Sequence, residues 1–571
     1  MTDTKIKPLT TPYFSELDEE NPWSDYPRPQ FVRESFLSLN GLWDFEAAKR
    51  ESVPRTYSRK ILVPFPPEST LSGLGISIKP GERLYYRRTF TLPDGFKKSR
   101  VILHIGAADQ ICAVVINGSS LGAHEGGYLP FSADITDCLS DGENEIVLKA
   151  VDDMSPVYPM GKQKRRRGGM WYTPVSGVWQ SVWLESVPEN AIEGITITPT
   201  MESAKIEVRT KAKNKKLTIK ETGEVYTFEG STVTVRPENP KLWSPESPHL
   251  YYFTLETETD RIESYFALRK IDIKTVGGIK RLCLNGKPYL FHGLLDQGYF
   301  PDGIYLPATA RGYEEDILRA KELGFNMLRK HIKVEPLIFY HLCDKLGMVV
   351  FQDMVNNSTY SFISDTALPT LGLKKRSDKD RHKNPKSRAM FERCMYETAS
   401  VLYNSPSVLY YTVFNEGWGQ FLADEAFEKL KKADPTRIID ATSGWFWQKD
   451  SDVLSEHIYF KNIKPHTPAE RPTVISEFGG YSHRVEGHTF SKNNYGYKSF
   501  KERKAYEDAV ISLYEEQVLP TIKGGVCALV YTQLSDVEDE TNGLITYDRR
   551  TVKVDAGRMR EMAEKLKNEI T

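Results

Sequence analysis

The sequence contains no apolar run long enough to cross a membrane, which needs about 18 or more consecutive apolar residues. The segment 1–14 is polar and is broken by Pro8 and Pro12, so it lacks the apolar stretch of a secretory signal peptide. These two absences argue against an integral membrane protein and against export. We therefore expect a cytoplasmic protein that does not associate with a membrane.

Cysteine is scarce, and neither sign of charge dominates. The six cysteines among 571 residues form no C-x-x-C pair, and none stands near a histidine at metal-ligand spacing. We interpret them as small buried side chains in a reducing compartment, and we predict neither a metal nor a cofactor. The formal net charge of −1 provides no general attraction for nucleic acid. The basic run 162–167 is interpreted as a solvated loop, with nucleic-acid contact as the alternative.

The first half of the chain predicts two β-sandwich domains, 1–187 and 188–274. Short runs of strand-forming residues, bounded by turn residues and without amphipathic helices, are typical of such sandwiches. The second stretch has about 85 residues, the size of a small immunoglobulin-like sandwich. The runs are Leu84–Phe90, Val101–Gly106, Ala113–Asn117 and Glu145–Val151 in the first domain, and Ala204–Lys211, Lys215–Glu221, Ser231–Val235 and Tyr251–Glu258 in the second.

Apolar strands alternate with helical segments from residue 275 to 571, which predicts parallel βαβ units. Eight strands in about 300 residues fit a (β/α)8 TIM barrel. The predicted strands are Tyr289–Leu295, Asn326–His331, Met348–Asp353, Val408–Asn415, Arg437–Thr442, Val453–Tyr459, Thr473–Phe478 and Val526–Thr532. The predicted helices are Glu314–Leu323, Pro336–Leu346, Ser387–Tyr403, Leu422–Lys432, Glu502–Val518 and Ala556–Glu569.

Two carboxylates stand at the carboxyl ends of predicted barrel strands, where barrel enzymes place their catalytic groups. Glu416 follows strand four, and Glu477 ends strand seven. These strands lie nearly opposite in an eight-stranded ring, so the two side chains would face each other across one crater. Carboxyl groups ~5–5.5 Å apart support retaining glycoside hydrolysis, in which one attacks the anomeric carbon and the other serves as acid and then as base.

Short motifs follow one another in a recognisable order along the chain. They are Leu39–Trp43, Tyr85–Phe90, Val115–Gly118, Gly126–Phe131, Gly177–Leu184, Leu284–Pro288, Asn415–Glu416 and Ser476–Gly480. Together they resemble glycoside hydrolase family 2, which holds β-galactosidases, β-glucuronidases and β-mannosidases, over almost the whole chain. The resemblance implies an N-terminal sugar-binding jelly roll and a retaining exo-β-glycosidase with Glu477 as nucleophile and Glu416 as acid/base.

The resemblance also implies substrate contacts for three polar side chains. It implies that Asn415 binds the sugar 2-hydroxyl, that His331 binds sugar hydroxyls, and that Tyr459 donates a hydrogen bond to the nucleophile. The alternatives are a structural amide, a buried histidine with its hydrogen bonds satisfied, and a core tyrosine.

Further candidates for substrate binding come from other strand ends and from aromatic residues. Asp296, Asp353 and Tyr531 lie near the ends of strands one, three and eight. Trp445 could stack on the sugar or the aglycone, as could Trp418, and both could equally be packing residues.

The sugar itself is less well defined. Where β-glucuronidases carry an Asn-x-Lys that grips the carboxylate, this chain has Glu540, Thr541 and Asn542, which cannot form that cationic clamp. A β-D-galactoside is our first expectation. The alternatives are a β-galacturonide, an α-L-arabinopyranoside, a β-mannoside, a β-galactofuranoside and a β-glucuronide. Large bacterial β-galactosidases carry a Glu/His magnesium site without an obvious equivalent here, so we predict no required metal.

Three basic side chains are candidates for binding an acidic sugar, and two other activities are alternatives to hydrolysis. Arg329, Lys330 or Lys333, near the end of strand two, could bind an acidic sugar. A non-catalytic carbohydrate-binding protein would have lost one of the two carboxylates, and both are present. Transglycosylation shares the first chemical step and stays open. The expected partner is a small glycoside or oligosaccharide, and a homodimer is possible, although the sequence shows no interface signal.

Overall fold

The computed structural model describes residues 9–459 and 461–570. Along them the chain forms an N-terminal β-sandwich, a smaller β-sandwich, and a barrel of parallel strands surrounded by helices. This is the fold class that the sequence predicts, and that prediction is confirmed.

The N-terminal sandwich has, in the described residues, a four-stranded and a six-stranded antiparallel sheet. Its strands alternate buried and more exposed side chains, so Trp43 and Phe45 point into a core that also contains Tyr86 and Leu148. In hydrogen-bonded order the first sheet is Phe36–Ser38, Val182–Val187, Arg100–Ile105 and Phe131–Asp134, and the second is Arg59–Val63, Gly41–Ala48, Arg83–Thr91, Glu143–Val151, Ile111–Ile116 and Ser119–Glu125. A short pair joins Ala108–Asp109 to Gly177–Val178.

The smaller sandwich also follows the alternation of its sequence. Ala204, Ile206 and Val208 are buried while the residues between them are exposed. In hydrogen-bonded order its sheets are Gly194–Pro199, Ala204–Arg209 and Thr232–Val235, and Val225–Phe228, Lys215–Ile219, Tyr251–Glu256 and Arg261–Phe266. The predicted boundary at 274/275 falls inside the next strand, which pairs in a small sheet with its neighbours. This sheet is Ile271–Val276, Ile279–Leu284 and Lys287–Pro288.

The barrel strands are parallel and almost entirely buried, as the apolar runs predict. Each of the eight strands in the described residues is hydrogen-bonded to its neighbours in the ring, except that strands five and six share no ladder. Going around the ring, the order is five, four, three, two, one, eight, seven, six. Strands one to eight are Phe291–Asp296, Met327–Lys330, Val349–Asp353, Val408–Asn415, Ile438–Ser443, Leu454–Ile458, Thr473–Gly479 and Val526–Thr532.

Each of the long helices lies within a few residues of its predicted position. Asn384 caps the longest one, because its side chain accepts hydrogen bonds from the backbone N–H of Lys386 at 3.0 Å and of Ser387 at 3.2 Å. The helix Leu337–Leu346 ends at Gly347, whose φ of 74° is readily adopted by glycine. Besides Leu337–Leu346, the long helices are Arg311–Glu322, Pro385–Leu402 (the one capped by Asn384), Ala423–Ala433, Arg503–Leu513 and Ala556–Asn568. The short helices are Leu368–Thr370 and Leu519–Ile522.

The amino-terminal part of the barrel interior is filled with side chains. The rings of Phe351 and Tyr410 stack inside it with centroids 4.1 Å apart. Trp243 of the smaller sandwich joins the same apolar cluster and donates to the backbone oxygen of Asp344 at 2.8 Å. The polar side chains therefore collect at the opposite end of the strands. Of the helices in the described part of the chain, none has the length and apolar character needed to span a membrane.

Candidate active site

Glu416 and Glu477 lie together at the carboxyl end of the barrel. Glu416 directly follows strand four, and Glu477 lies two residues before the end of strand seven. One oxygen of each carboxyl group lies within 4.8 Å of the other, with His457 of strand six between them. The two acidic groups thus share one site, as their positions in the sequence predict.

The Glu416 side chain is mostly buried. Its backbone has a φ of 53°, in the left-handed region that residues other than glycine seldom adopt. Its Oε1 lies 2.8 Å from Nδ1 of His457. Burial raises the pKa of Glu416 to about 7, although the positive charges of Lys162 and Arg329 oppose this rise. Burial also lowers the pKa of His457 to about 3, so this imidazole is neutral near pH 7. The environment therefore suits a carboxyl group that gives up and regains a proton near neutral pH.

Glu477 is held by donors instead. The guanidinium of Arg329 donates to its Oε1 at 3.1 Å, and the hydroxyl of Tyr459 donates to its Oε2. Tyr459 also lies 2.9 Å from the hydroxyl of Thr532. Together the two donors fix the orientation of the carboxylate. Glu477 is thus held in one position by hydrogen bonds to both of its oxygens.

Arg329 is the hub that connects the strand ends. It donates to Asn415 Oδ1 at 2.8 Å and to Asp353 Oδ1 at 2.9 Å, in addition to Glu477. The other oxygen of Asp353 lies 2.7 Å from Nδ1 of His331. Burial lowers the pKa of His331 to about 3. The structure therefore brings Asn415, His331 and Asp353 beside the carboxylate pair, with Asp353 orienting its neighbours.

The side chains of Asp296 and Trp445, two other predicted residues, make no hydrogen bond to the guanidinium of Arg329. Both oxygens of Asp296 are engaged, one with Lys330 at 2.5 Å and one with the backbone N–H of Gly298 at 2.9 Å. Trp445 borders the site, because its ring lies 5.6 Å from that of His457, and it donates to the backbone oxygen of Asp365.

The structure does not bring Tyr531 to the carboxylate pair. Its ring packs against Phe478 and Tyr514, between the barrel wall and the helix layer. Side chains alternate along a strand, so the neighbouring Thr532 points toward Tyr459 while Tyr531 points away from it. Proximity to a strand end in the sequence therefore does not by itself place a side chain in the site.

The cations of strand two are all engaged inside the protein. Arg329 has the contacts above, and Lys330 contacts Glu335 at 2.9 Å as well as Asp296. Lys333 donates to the backbone oxygens of Gly298 and Tyr305 and contacts Glu335 at 2.9 Å. All three thus have partners within the protein, and the binding of an acidic sugar by any of them stays a prediction.

Sequence reasoning missed His457 and the role of Arg329. His457 lies in the segment assigned to strand six, but only its distance to Glu416 reveals its place. Glu416, His457 and Glu477 are also a donor set that could hold a divalent cation, since their ligand atoms lie within 4.8 Å of one another. An ion there would occupy the two carboxylates that glycoside hydrolysis needs, so the absence of a required metal stays our prediction.

Comparison with known proteins identifies the family. The sequence matches the TIM barrel domain of glycosyl hydrolases family 2 over residues 276–568, the sugar binding domain of that family over 77–188, and a further family 2 domain over 192–269. The barrel match alone covers more than half of the chain, so the protein belongs to glycosyl hydrolase family 2. The resemblance noted in the sequence is thereby confirmed.

Individual relatives are distant. A beta-galactosidase of Thermoanaerobacter pseudethanolicus is 26% identical over 299 residues, which are 47% of this chain and 39% of that protein. The chain thus spans about two fifths of that relative's length. A beta-glucuronidase from an uncultured Clostridium sp. superposes with a TM-score of 0.74 at 18% identity, covering 94% of this chain and 99% of that one. A beta-galacturonidase from Eisenbergiella tayi superposes with a TM-score of 0.69 at 19% identity, covering 94% and 98%. The two structures support the fold.

Proposed function

We propose that this protein is a retaining exo-β-glycosidase in which Glu477 is the nucleophile and Glu416 the acid/base. The observation that carries the proposal is the separation of the two carboxylates, with one oxygen of each within 4.8 Å. Retaining enzymes hold their carboxyl groups ~5–5.5 Å apart, whereas inverting enzymes need ~6.5–9.5 Å to admit a water molecule. The cytoplasmic location and the homodimer stay predictions from the sequence.

The surroundings of each carboxyl group fit its role in both steps. In the first step Glu477 attacks the anomeric carbon, and the bond to the leaving oxygen breaks as Glu416 gives that oxygen its proton. In the second step Glu416 takes a proton from water, the water oxygen bonds to the anomeric carbon, and Glu477 leaves. Asn415 and His331 are placed to bind sugar hydroxyls next to the pair.

A β-D-galactoside is the first substrate to test, because a curated relative is named beta-galactosidase. A β-galacturonide is the second candidate, since it keeps the galactose ring configuration and adds a carboxylate. The half-buried Lys162 beside the site favours this second substrate. A structural neighbour is named beta-galacturonidase.

Two substitutions test the assignment of roles. Glu477→Gln should lower kcat by about 10⁴-fold or more, the scale of loss when a nucleophile is removed. Glu416→Ala should preserve kcat/KM for a dinitrophenyl glycoside, whose leaving group needs no proton. The same variant should lower kcat/KM about 10²–10⁴-fold for an alkyl glycoside, which needs general acid catalysis.

The measurement is steady-state kinetics on a panel of nitrophenyl, dinitrophenyl and alkyl glycosides. Glu456→Gln is the matched control, because this strand-six carboxylate contacts His466 at 3.0 Å rather than the pair. The control should keep wild-type rates. Wild-type rates in Glu477→Gln, or equal losses on both leaving groups in Glu416→Ala, would refute the assignment.

A further inference from the structure

A loop of the N-terminal sandwich forms one wall of the site. We call residues 156–175 the wall loop. Backbone hydrogen bonds attach it to the barrel, from Ser358 N to Pro156 O at 2.7 Å and from Met160 N to Asn356 O at 3.0 Å. At its other end the N–H of Thr173 donates to Glu538 Oε1 at 2.9 Å. The loop is therefore fixed against the end of strand three and against the segment after strand eight.

Lys162 lies in the part of the wall loop that packs against the barrel. A Cβ on the preceding Gly161 would approach the backbone oxygen of Ile332 to 3.1 Å, so the loop touches the chain next to His331. The N–H of Tyr172 donates to the oxygen of Lys162 at 2.9 Å, and the hydroxyl of Tyr172 donates to Glu540. Lys162 thus stands between the end of strand two and the segment after strand eight.

The charge of Lys162 acts on three groups that surround the site. Burial raises the pKa values of Glu416 and Glu540 and lowers that of His331, and for all three the next largest influence is the positive charge of Lys162. These groups belong to strand four, the segment after strand eight, and the segment after strand two. Together with the contacts of Gly161 and Tyr172, this places the half-buried Lys162 beside the site.

Among the residues that the structure describes, Lys162 differs from Arg329, Lys330 and Lys333 in having no side-chain partner. Within the described ranges 9–459 and 461–570, its ammonium makes no hydrogen bond and no ion pair. Arg329, Lys330 and Lys333 all have buried carboxylate partners. A half-buried ammonium can form a charge-assisted hydrogen bond with an anion bound in the site.

We propose that Lys162 binds an anionic substituent of the substrate, a carboxylate or a sulfate ester on the glycosidic sugar. The N-terminal sandwich would then supply a specificity residue to the barrel. The proposal rests on the proposed glycosidase function and deepens it. Glu540 lies on the same side of the site, but its carboxyl group accepts from Tyr172 and from Gln533 Nε2 at 3.2 Å. Its burial further favours the uncharged form, which reduces repulsion of an anion.

The first experiment compares the binding affinities of different sugars and does not depend on catalysis. Calorimetric titration of wild-type protein uses galactose, galacturonate and galactose 6-sulfate, and the matching glucose series. We expect an anionic member of one series to bind at least tenfold more tightly than its neutral member. Lys162→Met, which removes the charge and keeps the chain length, should abolish this preference, and Lys162→Arg should retain part of it. The stronger of the two anions identifies the substituent.

The second experiment uses nitrophenyl glycosides of the preferred pair. Lys162→Met should lower kcat/KM for the anionic glycoside at least tenfold more than for the neutral one, mainly through KM. Arg166→Met is the matched control, because it removes an exposed charge from the same loop. It should change neither value more than about twofold, as is usual for a surface substitution.

The outcomes separate this proposal from the proposed function. No preference for an anion in either series, or a preference that survives Lys162→Met, overturns the role of Lys162 while leaving hydrolysis of neutral glycosides intact. Equal losses on anionic and neutral glycosides in Lys162→Met also overturn it, because they indicate a structural role. A protein that binds anionic sugars through Lys162 but hydrolyses no glycoside overturns the proposed function alone.

Discussion

Glu416 and Glu477 have the same chemical group but very different surroundings at the scale of single residues. Glu416 is enclosed next to a neutral His457, and burial raises its pKa to about 7. Glu477 receives hydrogen bonds from Arg329 and Tyr459. This difference supports the proposed roles, proton transfer for the first carboxyl group and nucleophilic attack for the second.

The pKa of Glu416 predicts how activity depends on pH. A carboxyl group with a raised pKa holds its proton below that value and loses it as the pH rises. For a substrate with a poor leaving group, we expect kcat/KM to fall tenfold per pH unit above about pH 7. Glu416→Ala on a dinitrophenyl glycoside should show no such decline. A wild-type profile that is flat from pH 6 to 9 would contradict the role of Glu416.

The sequence could identify the two carboxylates but not the groups that tune them. Glu416 and Glu477 follow strands that are recognisable from their apolar residues. His457 and Arg329 matter because of their distances to side chains far away in the chain, which no local pattern encodes. Tyr531 was a natural candidate at a strand end, yet the alternation of side chains turns it toward the helices.

At the scale of elements, the wall loop matters most outside the barrel, because it carries Lys162 to the site. Its basic run predicts a solvated loop, and for the exposed positions 164–167 this agrees with the structure. Lys162 is half-buried instead, because the loop folds back onto the barrel. A run of like charges cannot show which of its members is turned inward, so the sequence alone does not distinguish Lys162.

A substitution at Gly161 tests whether the position of the wall loop against the barrel matters for activity. Its φ of 65° disfavours other residues, and a Cβ would collide with the Tyr128 hydroxyl and approach Ile332 O. We expect Gly161→Ala to lower kcat/KM at least tenfold by displacing the loop, as measured by steady-state kinetics. The matched control is Gly223→Ala, whose glycine has a φ of 74° but no atom within 4 Å of a Cβ.

Both glycine variants should lose about 1–2 kcal/mol of unfolding free energy from the unfavourable backbone conformation. Only Gly161→Ala should lose more stability than this and also lose activity. Equal kcat/KM values in the two variants would mean that the wall loop does not form part of the site.

Buried strands were easier to predict from the sequence than helix ends. Val408–Asn415 and Val526–Thr532 have the predicted bounds, because continuous apolar runs end at polar residues. The helix predicted from Ser387 instead begins at Pro385, where Asn384 supplies the cap. Proline is well tolerated in the first turn, so a helix can begin before its apolar periodicity becomes visible.

At the scale of the whole molecule, the N-terminal sandwich meets the barrel near the end that carries the site. Trp179 of the N-terminal sandwich packs on Tyr305 with ring centroids 4.9 Å apart, and the hydroxyls of Tyr128 and Tyr305 lie 2.7 Å apart. The sequence predicted the order of the units from strand and helix patterns. It did not predict this contact, because contacts between domains depend on surfaces that strand periodicity does not describe.

A covalent sugar adduct on Glu477 is the central claim of this account. The most direct measurement is incubation with activated 2-deoxy-2-fluoro-β-glycosides of the sugars above, followed by mass spectrometry of the peptide fragments. The account predicts a single glycosyl adduct, located on Glu477 and absent from the Glu477→Gln variant. An adduct on Glu416, or hydrolysis that releases the α-anomer as the first product, would contradict it.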